Sequence, residues 1–172
     1  MKSVTLACCV GVCVAVNAAH GAPDAGAKAR GEYAFYGHSV HSSLQSAHAH
    51  GQHYSAYLDR VQASGTAASA DPQVAQVAGD TIRNYISTMR RHLAMMRKHA
   101  TTLGDKEALV MLDDVDRHLA QADEHHAALR AVHGGEIIDP AVAKQHVDKV
   151  NTALQKAKIE HDEVMQKIGD GT

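Results

Sequence analysis

Residues 139–168 read DPAVAKQHVDKVNTALQKAKIEHDEVMQKI, and their pattern predicts one long amphipathic helix. Asp139 is a residue type that caps the start of a helix, and Pro140 suits the first helical position. The apolar and imidazole side chains that follow alternate at spacings of four and three, which places them on one stripe facing partner helices. This stripe consists of Ala143, Val147, Val150, Leu154, Ala157, His161, Val164 and Ile168.

Similar start and stop residues divide the preceding chain. Gly65, Gly104 and Gly134 each follow a periodic stretch, and Asp71-Pro72 repeats the capping pattern. Helices of nearly equal length joined by short loops favour antiparallel neighbours. The predicted fold class is therefore all-α, an up-down-up-down antiparallel four-helix bundle. Its helices are predicted over residues 38–64, 72–102, 106–133 and 140–168.

The three earlier helices have stripes with the same spacing as the last one. The first stripe consists of Val40, Leu44, Ala47, Gly51, Tyr54, Leu58 and Val61. The second consists of Ala78, Ile82, Tyr85, Met89, His92, Met96, His99 and Leu103. The third consists of Ala108, Leu112, Val115, Leu119, Ala122, His126, Leu129 and His133.

The N-terminal residues predict a signal peptide over residues 1–21. Lys2 gives a basic start, and residues 4–16 are almost entirely small or apolar but too short to span a bilayer. We expect a periplasmic or secreted mature chain without stable membrane insertion. Cleavage would also remove all three cysteines, Cys8, Cys9 and Cys13, and with them any disulfide. A flexible leader is predicted over residues 22–37, before the bundle at residues 38–169.

Histidine is unusually abundant, with 14 residues against one phenylalanine and no tryptophan. Four histidine pairs recur at seven-residue intervals, which keeps each pair on one helix face: 41 and 48, 92 and 99, 118 and 125, 126 and 133. A single histidine on a helix is usually a surface or hydrogen-bonded residue. The prediction of metal binding therefore depends on the histidines as a set and not on any one of them. Stripe positions where leucine or isoleucine would pack better are occupied by His92, His99, His126, His133 and His161.

Antiparallel packing of the helices brings histidine and methionine to common levels. Neutral imidazole binds Zn, Cu, Ni and Fe, and thioether shifts the preference towards Cu(I). We therefore predict copper as the bound metal and leave zinc or another divalent transition metal open. The first predicted site consists of His41, Met96, His99, His161 and Met165, and the second of His48, Met89, His92 and His118. A third layer of imidazoles is expected from His53, His125, His126 and His146.

Catalytic motifs are missing from the sequence. No Glu-x-x-His, His-Glu-x-x-His or Cys-x-x-Cys-His pattern occurs. A net charge of −2 does not suit a nucleic-acid partner. The sequence predicts a non-enzymatic protein whose partners are metal ions, with self-association left open. The alternative is a structural or interaction module of the cell envelope that senses pH, because imidazole titrates at about pH 6.5.

Overall fold

The computed structural model describes residues 24–65 and 69–170, and four long helices make up most of them. They are α1 (Ala25–Ala63), α2 (Pro72–Leu103), α3 (Lys106–His133) and α4 (Pro140–Asp170). No strand occurs within the described ranges. The prediction of an all-α chain with four helices is confirmed for these residues, whereas the predicted signal peptide, residues 1–21, lies outside them.

Aspartate side chains cap the helix starts. Asp71 Oδ1 accepts from the Gln73 backbone N–H at 2.7 Å, and Asp139 Oδ1 accepts from the Ala141 N–H at 2.8 Å. Each bond pairs a donor that the first helical turn cannot pair internally. At its other end, α2 stops at Gly104, whose φ of 71° is the left-handed conformation that glycine adopts without strain.

The first helix is longer than predicted. It begins at Ala25, so the prediction of a flexible leader over residues 22–37 is wrong from that residue onward. Asp24 caps this start by accepting from the Gly26 N–H at 3.1 Å. Ala29 and Tyr33 are buried and extend the apolar stripe by two turns. Alanine, lysine, arginine and glutamate also favour helix, which outweighs the glycines in this segment.

Each helix packs against two others in the cyclic order α1, α2, α3, α4. Contacts between α1 and α4 run in opposite directions along the two helices. Gly37, near the start of α1, meets Met165 near the end of α4. Further along α1, the Ser55 hydroxyl donates to Asp148 Oδ1 at 2.7 Å. The two helices are therefore antiparallel.

The predicted stripes form most of the core. In α4 every stripe residue is buried except Ile168, and in α3 every one except His133. In α2, Ile82, Met89, Met96 and His99 are buried as predicted. The predicted residues Tyr85 and His92 are only half-buried, and the residue after each of them, Ile86 and Leu93, is buried instead, as is Ala100. No helix within the described residues is long and apolar enough to cross a membrane.

Candidate metal centre

The interface between α1 and α4 allows a close approach of the two helices at two glycines. At Gly51 a methyl group would overlap the carboxamide of Asn151, and at Gly37 it would overlap the sulfur of Met165. Both glycines are buried. His41 lies on α1 between them, one turn after Gly37, and thus projects from the part of the helix that is held close to α4.

Three side chains at this interface have the spacing of metal ligands. One ligand atom from each of His41, His161 and Asp162 lies within 4.8 Å of the other two. His41 Nδ1 is 2.9 Å from Asp162 Oδ1, and the two imidazole centroids are 6.1 Å apart. We call this group the α1–α4 site. No other group of three histidine, cysteine or acidic residues has this spacing in residues 24–65 and 69–170.

His161 is the most unusual member of the α1–α4 site. It is 0% exposed, and neither of its ring nitrogens has a hydrogen-bond partner. Burial, assisted by the nearby His41 ring, lowers the pKa of His161 to about 4. The imidazole is therefore neutral at physiological pH, which is the form that binds a metal ion.

Asp162 completes the α1–α4 site as a carboxylate. Its Oδ2 accepts from Lys158 Nζ at 2.6 Å. Burial alone would raise the pKa of Asp162, but the Lys158 ammonium and the His41 ring outweigh it and hold that pKa below its usual value. Asp162 is therefore ionised at neutral pH, and it supplies the only negative charge of the group.

The second nitrogen of His41 is held by Gln45, whose amide nitrogen is 2.8 Å from His41 Nε2. With Gln45 donating to Nε2, His41 Nδ1 has the proton and donates it to Asp162. A histidine oriented by a carboxylate in this way is typical of metal sites. Both ring nitrogens of His41 are therefore engaged, and a metal ion would have to replace one partner. If it replaced the Gln45 amide at Nε2, Asp162 would orient the ring; if it replaced the proton at Nδ1, Asp162 could be a direct ligand.

Two methionines lie one turn away from the imidazoles. Met165 is four residues after His161 on α4, and its sulfur occupies the space beside Gly37. The terminal methyl group of Met96 comes from α2 to within 3.4 Å of the same point. Thioether side chains from two helices therefore meet beside Gly37, one turn before His41 on α1.

His99, the remaining member of the first predicted site, lies elsewhere. Its Nε2 is 3.5 Å from Glu32 Oε2, and its ring stacks on Tyr36 with centroids 5.9 Å apart. Both contacts are with the face of α1 that packs on α2. The structure thus brings together four of the five residues of the first predicted site around α1 and α4 and places His99 on the neighbouring interface.

The members of the second predicted site make separate local contacts. His48 Nε2 is 3.0 Å from the Gln52 amide, and His118 Nδ1 is 3.2 Å from the Gln121 amide oxygen. His92 packs on the Tyr36 ring with centroids 5.6 Å apart. Met89 is fully buried in the core. These residues do not form a ligand group as they stand.

Two histidines in the last turns of α3 are hydrogen-bonded within the protein, the buried His126 and the half-buried His133. His126 Nε2 donates to the Gly79 carbonyl at 2.8 Å, and His133 Nε2 is 2.8 Å from the Tyr54 hydroxyl. Burial lowers the pKa of both, that of His133 to about 4. Because their bonds are satisfied within the protein, they are structural residues. The expected third layer of imidazoles therefore lacks His126.

Sequence reasoning missed Asp162. Neighbouring residues on a helix point about 100° apart, so a search along one stripe finds His161 and passes over the residue after it. The sequence does place Asp162 four residues after Lys158, a spacing at which a lysine and an acid pair. That spacing alone does not show that the same carboxylate faces His41.

Comparisons of the chain with protein-family models, with curated proteins and with solved structures find no match. The geometry of the α1–α4 site is therefore the main indication of what the protein does.

Proposed function

We propose that the chain is an exported, up-down-up-down helical bundle that binds a transition metal at the α1–α4 site, with copper as the first candidate and zinc as the second. The observation that best supports this proposal is His161, which is buried, neutral and without a partner for either ring nitrogen. A buried polar group without a partner costs about 1–3 kcal/mol. A bound ion would offset that cost.

The donor atoms favour copper over other metals. Imidazole and carboxylate suit Cu(II) and Zn(II), whereas thioether suits Cu(I). The α1–α4 site supplies the first kind from His41, His161 and Asp162. The second kind comes from Met165, one turn after His161, and from Met96, which meets Met165 beside Gly37. Copper is the metal for which both kinds of donor are useful. The proposed role is to sequester or buffer the ion outside the cytoplasm.

The other predicted ligands would form a second metal position of lower affinity only after they rearrange. His99 Nε2 is buried and makes no hydrogen bond, although Glu32 Oε2 lies 3.5 Å from it. In the second predicted site, His48 and His118 would have to leave their glutamine partners before binding a metal ion. Hydrogen bonds to exposed glutamine side chains cost little free energy to break. A titration that saturates in two steps would support this position. The proposed second position comprises His99 together with His48, Met89, His92 and His118.

The experiment that tests the proposal uses the mature chain, without residues 1–21 and without a tag, titrated with Cu(I), Cu(II) and Zn(II). Metal that binds only the folded state raises its stability by about 2.7 kcal/mol at a free concentration one hundred times the dissociation constant. We expect His41→Gln to remove the tightest binding step. His125→Gln is the matched control, because His125 is also a half-buried histidine and belongs to neither predicted site.

Several outcomes would contradict the proposal. Binding of equal strength in His41→Gln and the unaltered chain would place the ion elsewhere. A melting temperature that no metal changes would remove the proposed function altogether. Export is tested separately, by expressing the full chain and measuring the mass of the product in the periplasmic and culture fractions. An uncleaved cytoplasmic product would contradict it.

A pH-sensing module of the envelope is the second candidate, because burial lowers the pKa of three histidines, His126, His133 and His161. Their protonation in acid would loosen contacts at both ends of the helices. This function predicts cooperative loss of structure in acid that metal does not prevent. Metal binding at the α1–α4 site predicts that the bound ion prevents part of that loss.

A further inference from the structure

A concave surface lies between the last turns of α1 and the first turns of α2, away from the α1–α4 site. It encloses about 500 Å³, within the range of about 300–1,000 Å³ that small-molecule sites occupy. We call it the α1–α2 groove. Among the residues that line it are Tyr54, Tyr57, Arg60, Val74, Val77 and Ala78.

The floor of the α1–α2 groove is aromatic and fixed. The rings of Tyr54 and Tyr57 stack with their centroids 6.0 Å apart and their planes at 15°. The Tyr54 hydroxyl bonds His133 Nε2 at 2.8 Å, and the Tyr57 hydroxyl accepts from the Asp71 N–H at 2.9 Å. Both hydroxyls are already bonded within the protein. Tyr54 is only 3% exposed and supports Tyr57 from below, so the half-buried Tyr57 ring offers the groove its apolar surface.

The wall of the groove contains apolar side chains that the fold leaves in water. Val77 is 62% exposed and Val74 40% exposed, both on the first turns of α2. A single exposed valine is ordinary, but two beside a pair of stacked rings form one continuous apolar patch. The patch is concave, which lets a small ligand bury more of its surface than a flat patch would.

The charge of the groove is opposite to that of the chain as a whole. The chain has 19 acidic and 17 basic residues, yet no acidic side chain lines the groove. Arg60 lies at one end, and His50 and His53 also line it. No carboxylate of residues 24–65 or 69–170 forms an ion pair with Arg60. The guanidinium is therefore available to a ligand.

We propose that the α1–α2 groove binds an amphipathic organic anion, a molecule with a flat ring-containing body and one carboxylate. The body would lie against the Tyr57 ring and Val77, because an aromatic ring favours flat apolar surfaces. The carboxylate would pair with Arg60, whose guanidinium matches carboxylate geometry. Binding here requires no metal, so it is independent of the function proposed for the α1–α4 site.

The test uses 2-naphthoate as the probe and the mature chain in EDTA, with binding followed by calorimetry. Two analogues with the same rings, the neutral 2-naphthalenemethanol and the cationic 2-naphthylmethylammonium, measure the effect of charge. We expect naphthoate to bind once per chain, and the alcohol about threefold to fivefold more weakly, since an exposed ion pair contributes little more than this. The ammonium should bind more weakly still.

Two valines with the same exposure provide a matched pair of variants. Val77 is 62% exposed in the groove, and Val110 is 63% exposed on α3, away from it. We expect Val77→Asp to weaken naphthoate binding at least about tenfold, because it adds a negative charge beside the anion and removes apolar contact. Val110→Asp should leave binding unchanged. Arg60→Gln should remove the preference for naphthoate over the alcohol.

Four results would overturn the proposal. They are no naphthoate binding, equal affinity for the ammonium, equal losses in the two valine variants, and a dimer of the unaltered chain that Val77→Asp converts to a monomer. The last result, seen by sedimentation, would make a second copy of the chain the occupant of the groove. Circular dichroism of both variants confirms that each keeps its helices, as substitutions at exposed positions should.

Discussion

His41 Nδ1 lies 2.9 Å from Asp162 Oδ1, and this contact joins residues that are 121 positions apart in the chain. Such a pair exists only after α1 and α4 have packed together. A ligand that needs both residues therefore binds the folded state alone, and metal binding and folding are thermodynamically linked. The consequences can be measured through stability as well as through stoichiometry.

Replacing His161 by leucine should separate stability from metal binding. Leucine fills a similar volume without the two unpartnered nitrogens, so we expect the metal-free protein to become more stable by about 1 kcal/mol. The stabilisation that copper adds to the unaltered chain should disappear. Urea unfolding with and without metal measures both effects.

The control for this variant is His126→Leu. His126 Nε2 donates to the Gly79 carbonyl at 2.8 Å, so its removal takes away a bond that the fold uses. We expect His126→Leu to lose about 1 kcal/mol of stability and to keep its response to copper. If both variants lose stability equally, His161 is an ordinary core residue and the argument for a ligand there is wrong.

Acid should destabilise the protein. Burial lowers the pKa of His161 and of His133 to about 4, whereas an unfolded histidine has a pKa of about 6.5. Between these values the unfolded chain binds protons that the folded chain does not. The free energy of unfolding is therefore highest above about pH 6.5 and falls as the pH drops towards 4, by at most about 1.4 kcal/mol per pH unit for each such histidine.

Urea titrations between about pH 7 and about pH 4.5 in EDTA measure this slope. His161→Leu should have a smaller slope, because one of the groups responsible is gone. Saturating copper should raise the stability at each pH but leave the slope unchanged or make it steeper, because a bound ion keeps the proton off His161 in the folded state while the unfolded chain still binds one. A slope that is the same in the variant and in the unaltered chain would show that other groups cause the acid sensitivity.

The helices could be predicted because their pattern is long and repeated. In α4 the alternating spacing of four and three leaves one choice of buried face, and the structure has that face. In α2 two possible buried stripes share Ile82, Met89 and Met96. One continues through His92, and the other through Leu93. The sequence favoured the stripe with His92, but the core has Leu93. A rotation of part of a turn decides between them, and only packing against the other helices fixes it.

The features of the structure that could not be predicted from the sequence depend on contacts between helices. Residues 25–37 have the composition of a leader, and they form helix because Ala29 and Tyr33 find a place in the core. Asp162 belongs to the α1–α4 site because α1 approaches α4 closely at Gly37 and Gly51. Spacing along one helix contains no information on either approach. His41, His161 and Met165 were found because each lies on or beside a predicted stripe.

Glycine has opposite effects at two positions of α1. At Gly51 a methyl group would overlap the carboxamide of Asn151, whereas at Gly31 nothing lies within 4 Å. We expect Gly51→Ala to lose about 1–3 kcal/mol, because it forces α1 and α4 apart. Gly31→Ala should gain about 0.5–1 kcal/mol, the difference in helix propensity. Thermal unfolding of both variants tests this, and a stabilised Gly51→Ala would show that the two helices do not touch at that level.

Gly37→Ala should test whether thioethers bind the metal. A methyl group at Gly37 would overlap the sulfur of Met165 and lie 3.4 Å from the Met96 methyl. Unlike the Asn151 carboxamide beside Gly51, these atoms are the ends of flexible side chains, so they can move away without separating the helices. We therefore expect the variant to stay folded with its sulfur atoms displaced.

The metal preference of Gly37→Ala then distinguishes the two kinds of donor. If Met96 and Met165 bind Cu(I), the affinity of the variant for Cu(I) should be about tenfold lower than that of the unaltered chain. This corresponds to about 1.4 kcal/mol of lost binding free energy. Zn(II), which prefers the imidazoles and the carboxylate, should bind as before. Gly31→Ala, almost two turns earlier on the same helix, is the control and should change neither the Cu(I) affinity nor the Zn(II) affinity. Equal loss of both metals would mean that the variant distorts His41, and an unchanged Cu(I) affinity would leave a nitrogen and oxygen site in which the methionines only fill the core.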